Sequence, residues 1–310
     1  MPAIVFRSHA DSAEQWGANL KTQFPDIDFR VWPDAGNKAD IDTAIVWKPE
    51  RGMLRQFPNL KMIVSLGAGV DHIFADPELP PGVPVVRLVD PWMANSISEY
   101  VALNVLRFHR DDPDYVRQQA ERKWNALPLR ETTQRTVGFL GMGFMAGDAA
   151  AKIKPFGFRI AGWSRTPKQI DGIDCHHGQD GLERFLGRSE FLVCLLPATP
   201  ATVGIISAKT LAMLPRGAYL INCGRGAHTV EADVLAALDS GQLAGAALDV
   251  FRTEPLPADS PLWNHPKVFV TPHIAAQTNA RTGAAVVAEN IRRVRRGEPP
   301  RDAVDPAVGY

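Results

Sequence analysis

Between residues 136 and 271 the chain repeats one arrangement: a short apolar run, a segment long enough for a helix, then another short apolar run. The runs fall at 136–140, 159–163, 191–196, 219–223, 245–250 and 268–271. Strands that are apolar on both faces and alternate with helices bury themselves in a parallel sheet covered on both sides. Such a series predicts a doubly wound α/β domain, whose ligands sit at the carboxyl ends of the strands. A weaker series of the same kind precedes it, at 3–7, 43–47, 61–66 and 84–88, followed by a helical pattern over 95–110. Residues 111–130 are polar and charged and read as a linker or as an arm against another subunit. The last helical stretch, 278–296, has no strand after it and is expected to return to the first domain. The chain therefore reads as two doubly wound parallel-sheet domains, residues 1–100 with 285–310, and residues 101–284.

The length of 310 residues exceeds what one hydrophobic core usually serves, in agreement with two domains. Lys plus Arg and Asp plus Glu number 34 each, so there is no global field to draw in nucleic acid or an anionic membrane. No run of about 20 apolar residues is present, and a cytoplasmic protein is expected. Cys175, Cys194 and Cys223 are widely spaced without a CxxC, which argues against a disulfide framework and a zinc site, and no metal is expected. His176 and His177 read as a solvated polar turn, and Arg292, Arg293, Arg295 and Arg296 as one charged helix face.

The first strand of the stronger series runs into Gly138-Phe139-Leu140-Gly141-Met142-Gly143-Phe144-Met145-Ala146-Gly147. Glycines between a strand and a helix allow a tight turn at Gly141 and close approach of an anion at Gly143. The helix opening at Phe144 and Met145 then offers free N–H groups and a positive dipole end to a pyrophosphate. Ala146 takes the position where the pattern often has a third glycine. About 20 residues on, an NAD-specific site would place a carboxylate for the adenosine ribose. Here the strand ends Trp163-Ser164-Arg165-Thr166-Pro167-Lys168, with no acidic group but two cations and two hydroxyls suited to a 2′-phosphate. NADP(H) is the preferred cofactor on this reading, with NAD(H) possible.

Three later strand ends carry Arg225 (in Asn222-Cys223-Gly224-Arg225-Gly226), Asp249 and Glu254 (in Asp249-Val250-Phe251-Arg252-Thr253-Glu254-Pro255), and His273 (in Thr271-Pro272-His273). A guanidinium can donate to a carboxylate and an adjacent carbonyl in one plane while keeping its charge. An imidazole oriented by a carboxylate can exchange a proton with a reacting oxygen.

These segments, together with residues 256–266 running into Thr271-Pro272-His273 and with Gly67-Ala68-Gly69-Val70-Asp71, resemble the D-isomer-specific 2-hydroxyacid dehydrogenase family over nearly the whole chain. Trp47, the Trp163-Ser164-Arg165 ending and the length resemble its glyoxylate/hydroxypyruvate reductase A branch. The resemblance implies a Rossmann NAD(P)-binding domain, a flavodoxin-like substrate domain, and reduction of a small 2-oxo acid to the D-2-hydroxy acid. It implies Arg225, Glu254 and His273 as the catalytic set, with His273 the proton donor. It also implies nicotinamide contacts from Asn222, Cys223 and Asp249, and cleft-lining roles for Leu196, Pro197 and Ser96. In the first domain the backbone at Ala68 and Gly69 is expected to meet the substrate carboxylate. Trp47 and Met93 read either as pocket walls or as core packing. The stretch from Asp111 to Trp124 resembles a dimerisation arm with Tyr115 and Trp124 as anchors, so a homodimer is expected. The same fold also serves cofactor-sensing corepressors and formate-type dehydrogenases. The latter resemble this chain with a glutamine in place of Glu254.

Overall fold

The computed structural model describes residues 2–306. In chain order it forms β1 (Ala3–Arg7), α1 (Ala13–Gln23), β2 (Asp28–Val31), β3 (Ile41–Val46), β4 (Met62–Ser65), α2 (Asp71–Phe74), β5 (Val85–Val86) and α3 (Pro91–His109). There follow α4 (Asp112–Ala120), β6 (Thr136–Leu140), α5 (Phe144–Ile153), β7 (Arg159–Ser164), β8 (Asp174–His177), α6 (Gly178–Leu186) and β9 (Phe191–Cys194). The chain closes with α7 (Ala208–Leu211), β10 (Ala218–Asn222), α8 (Glu231–Asp239), β11 (Leu243–Leu248), β12 (Val268–Val270) and α9 (Ala280–Arg295).

Two compact units result, Met1–Met93 with Thr278–Tyr310, and Ala94–Gln277. The divisions fall seven residues before each boundary read from the sequence, the first of them inside α3. Among the described residues the first unit holds a five-stranded parallel sheet of order β2-β1-β3-β4-β5, the flavodoxin-like order. The second holds a seven-stranded sheet of order β12-β11-β10-β9-β6-β7-β8, parallel throughout. That order reverses direction between β6 and β9, the switch point where doubly wound sheets open a crevice.

Central strands are wholly buried: every residue of β3, β6, β9 and β10 is covered on both faces. In the first unit α9 starts at Asn279, whose side chain accepts from the N–H of Arg281, and buries Ala284, Val287, Ala288 and Ile291 on one face. Gly283 lets α9 approach α1, because a Cβ there would lie 2.7 Å from the Trp16 ring. The arginines at its end are more than a solvated face. Arg295 bonds the buried Asp42, and Arg292 lies 4.8 Å above the Phe24 ring. His176 and His177, read from sequence as a turn, form the end of β8, an edge strand with polar, partly exposed side chains.

Candidate active site

β10, β11 and β12 lie side by side and parallel, so the loops leaving their carboxyl ends share one edge of the second sheet. Glu254 leaves β11 and His273 leaves β12. The carboxylate oxygen Oε2 of Glu254 lies 2.9 Å from Nδ1 of His273. Its other oxygen accepts the Phe251 N–H at 3.2 Å, which pins the carboxylate to its own loop. His273 is held in the left-handed region at φ 54, its N–H donating to the Asp249 carbonyl at 2.8 Å. A side chain costs about 1–3 kcal/mol to keep in such a conformation, and the surrounding bonds supply the restraint.

Arg225 leaves β10 and donates Nη1 to the Gly224 carbonyl at 2.8 Å. Its loop is pressed on the Glu254 loop: a Cβ on Gly226 would fall 1.9 Å from the carbonyl carbon of Phe251, so only glycine fits. Arg225, Glu254 and His273 thus stand on three adjoining loops of one sheet edge, with the last two in direct hydrogen bond.

Farther along the same edge, β6 turns into α5. Gly141 has φ +99, and Gly143 caps the helix with no side chain bonded over its N-terminus. A Cβ on Gly143 would meet no heavy atom within 4 Å, so space lies open where the helix presents its N–H groups. Those features fit a pyrophosphate. At the end of β7, Arg165, Thr166 and Lys168 are exposed, whereas Ser164 is buried and donates to the Thr166 carbonyl at 2.8 Å. Lys168 reaches back to the Met142 carbonyl at 2.5 Å and joins this loop to the glycine turn. This donor set, cationic and free of carboxylates through Lys168, suits a 2′-phosphate.

Residues 102–275 match the model of the D-isomer-specific 2-hydroxyacid dehydrogenase NAD-binding domain. A glyoxylate/hydroxypyruvate reductase A from Serratia proteamaculans is 42% identical over 312 residues, covering 99% of both chains. The chain belongs to the D-isomer-specific 2-hydroxyacid dehydrogenase family. Solved family members agree in fold. A D-isomer-specific 2-hydroxyacid dehydrogenase from Xanthobacter autotrophicus, in complex with NADPH and MES, superposes with a TM-score of 0.97 at 44% identity, covering 100% of this chain and 99% of that one. The NADPH-dependent glyoxylate/hydroxypyruvate reductase of Sinorhizobium meliloti, in complex with NADP and sulfate, gives 0.93 at 39% identity, covering 99% of this chain and 100% of that one.

Several residues singled out in this dehydrogenase from sequence have other partners in the structure. Trp163 is turned into the core and donates Nε1 to the Gly178 carbonyl at 2.8 Å. The Asp249 carboxylate, buried, accepts from Thr271 Oγ1 at 2.6 Å and from the N–H groups of Ile274 and Ala275 at 2.8 and 2.9 Å. Asn222, also buried, donates Nδ2 to the Arg225 carbonyl at 3.2 Å and to Thr229 Oγ1 at 2.9 Å. Cys223 and Cys194 are buried thiols, the second pushed up to about 12 by burial. Phe144 is exposed at the start of α5, with Met145, Ser96 and Pro197 half-buried and Leu196 buried. Sequence reading passed over Tyr100, whose hydroxyl lies 2.9 Å from Thr271 Oγ1, and His228, wholly buried beneath Arg225. Neither belongs to a motif with a spacing rule.

In the first unit, taken by itself, Trp47 is half-buried and its ring lies against Gly67, where a Cβ would come within 2.6 Å of the indole. The ring also meets His72 edge-on at 4.5 Å. Ala68 and Gly69 are half-buried, and Ser65 Oγ donates to the Gly69 carbonyl at 2.8 Å, which fixes the turn. Met93 is buried in packing. Among the described residues, no helix is long and apolar enough to cross a membrane.

Proposed function

We propose that this dehydrogenase reduces a small 2-oxo acid of the glyoxylate or hydroxypyruvate type to the 2-hydroxy acid, with NADPH as reductant and the D configuration where a stereocentre forms. The hydrogen-bonded pair His273–Glu254, on the sheet edge that also carries the open glycine turn, is the observation that carries this reading. Full-length likeness to reductases of that name supports the substrate class.

Arg225 binds the substrate carboxylate and directs the adjacent carbonyl oxygen toward His273. The β6–α5 turn and the β7 end would hold NADPH, which when bound would supply the hydride that the carbonyl carbon takes up. The proton on His273 Nε2 moves to the carbonyl oxygen as the C=O π electrons shift onto that oxygen and give it negative charge. Glu254, bonded at Nδ1, keeps Nε2 forward and balances the charge of the protonated ring. The neutral imidazole left behind is the base for the reverse reaction. Ser164, Arg165, Thr166 and Lys168 prefer NADPH to NADH, and relatives crystallised with NADPH or NADP support that preference. Leu196, Pro197 and Ser96 would line the cofactor, and Asn222, Cys223 and Asp249 would hold its nicotinamide. In the first unit the Ala68–Gly69 backbone suits a carboxylate, with Trp47 and Met93 as apolar walls.

Steady-state assays of NADPH and NADH oxidation against glyoxylate, hydroxypyruvate, pyruvate and a phenyl-bearing 2-oxo acid test the reading. Turnover of the two smallest acids with higher kcat/KM for NADPH is expected. A higher kcat/KM with NADH would overturn the cofactor preference, and no turnover with any acid would overturn the reaction. The fully exposed Trp124, with Val116 and Leu129, supports a homodimer through the α4 arm, and a monomeric mass by light scattering at micromolar concentration would refute it.

A further inference from the structure

The backbone of Arg225 is gripped from both sides by buried side chains. His228, three residues on and wholly buried, turns its ring back so that Nδ1 accepts the Arg225 N–H at 3.2 Å. Its Nε2 lies 3.1 Å from the carbonyl oxygen of Pro197, in the loop after β9. A carbonyl only accepts, so the proton sits on Nε2 and Nδ1 is left with the lone pair that Arg225 uses. One neutral tautomer satisfies both bonds. On the other side Asn222 donates to the Arg225 carbonyl at 3.2 Å. The Cys194 thiol, 3.5 Å from Nδ1, is kept protonated by burial and brings no charge to the ring.

The neighbours allow little movement. A Cβ on Gly224 would lie 3.2 Å from His228 Nδ1, and one on Gly226 would strike the Phe251–Arg252 backbone. An apolar side chain could fill the place of an imidazole at lower desolvation cost. The ring instead ties the loop of Arg225 to the loop of Pro197, two loops that leave neighbouring strands, β10 and β9, at the same sheet edge.

We propose that His228 is a positioning residue: it fixes the Arg225 backbone to the Pro197 loop and thereby sets the affinity for the 2-oxo acid. The proposal rests on the reading of Arg225 as the carboxylate-binding residue. Two variants separate the two ring nitrogens. His228→Gln places an amide near the Nε2 position and keeps a donor for Pro197, but offers Arg225 no acceptor. His228→Asn places its oxygen near Nδ1 and keeps that acceptor.

With NADPH saturating, His228→Gln should raise KM for glyoxylate by about tenfold, with kcat within about twofold and the Kd for NADPH unchanged. His228→Asn should stay within about threefold of the wild-type KM. An unchanged KM in His228→Gln, or equal rises in both variants, overturns the proposal. Arg225→Met, run in parallel, tells the two failures apart: an unchanged KM there overturns the role of Arg225 itself. Should His228→Gln not fold, nitrogen NMR of the wild-type protein labelled at histidine decides. An unprotonated, hydrogen-bonded Nδ1 on His228 is expected, and a protonated Nδ1 overturns the proposal.

Discussion

Asp249 brackets His273: its backbone carbonyl takes the His273 N–H at 2.8 Å, and its carboxylate takes the N–H groups of Ile274 and Ala275 at 2.8 and 2.9 Å. The left-handed backbone of His273 is thereby held by bonds to a single buried residue on the neighbouring strand end. Asp249→Ala would leave buried donors without an acceptor, at about 1–3 kcal/mol for each. We expect a loss of roughly 3 kcal/mol in denaturant-induced unfolding. A kcat at least about tenfold lower should accompany it, because the imidazole loses its fixed direction. Thr271→Val removes the hydroxyl that bonds both Asp249 and Tyr100 and should cost about 1–3 kcal/mol. Equal stability of wild type and Asp249→Ala would show that the bracket does not restrain the loop.

The pairing of His273 with Glu254 separates proton transfer from cofactor binding. Replacing His273 by alanine removes the proton donor, and kcat should drop by about 10²-fold to 10⁴-fold. Glu254→Gln keeps the size of the side chain but not its charge, so a smaller loss, about tenfold to 10²-fold, is expected. Both variants should bind NADPH with wild-type affinity in a fluorescence titration, since neither side chain touches the glycine turn. Retained turnover in His273→Ala would remove it from the chemistry.

Gly143 and Gly226 make opposite predictions from the same residue type. At Gly143 a methyl group meets no protein atom within 4 Å, and the backbone is not left-handed. Gly143→Ala should therefore leave Tm unchanged while raising KM for NADPH about tenfold or more, because the methyl occupies the space in front of the helix N–H groups. At Gly226 the methyl would overlap the Phe251 backbone, so Gly226→Ala should lower stability by about 3 kcal/mol or more before any effect on binding is read. A stable Gly143→Ala protein with wild-type KM for NADPH would place the pyrophosphate elsewhere.

How far the sequence is legible follows from where each signal comes from. β3 and β6 are covered on both faces and read as unbroken apolar runs, and the glycine turn and the three strand-end motifs have fixed local spacings. β2 and β8 were not legible. Both are sheet edges, exposed along one side, and Asp28-Phe29-Arg30-Val31 and Asp174-Cys175-His176-His177 carry no run of apolar residues. Of the site, residue types at strand ends could be read, but not their partners. Whether Trp163 faces a ligand or the core depends on Gly178, and the work of Asp249 and His228 depends on Thr271 and Pro197. Those bonds join loops brought together only by the sheet, and no periodicity encodes them.

His109, at the end of α3, gives the second unit an acid sensitivity with a definite sign. Its ring stands edge-on to Phe158 at 5.0 Å and its Nδ1 lies 3.5 Å from Nη1 of Arg135, a buried guanidinium stacked over Phe191. Burial first, then the charges of Arg135, Arg110 and Arg130 against that of Asp111, lower its pKa from the ordinary 6.5. Below that value the unfolded chain takes up a proton that the folded ring refuses, so folding loses stability as pH falls through and beneath about 6.5. Above it the contribution is complete. His109→Gln keeps a polar group for Arg135 but cannot titrate. Thermal unfolding at about pH 7.5 and about pH 5.5 should show a larger fall in Tm for wild type than for the variant. Equal falls would mean that the imidazole takes its proton in the folded state, against the field of the Arg135 guanidinium.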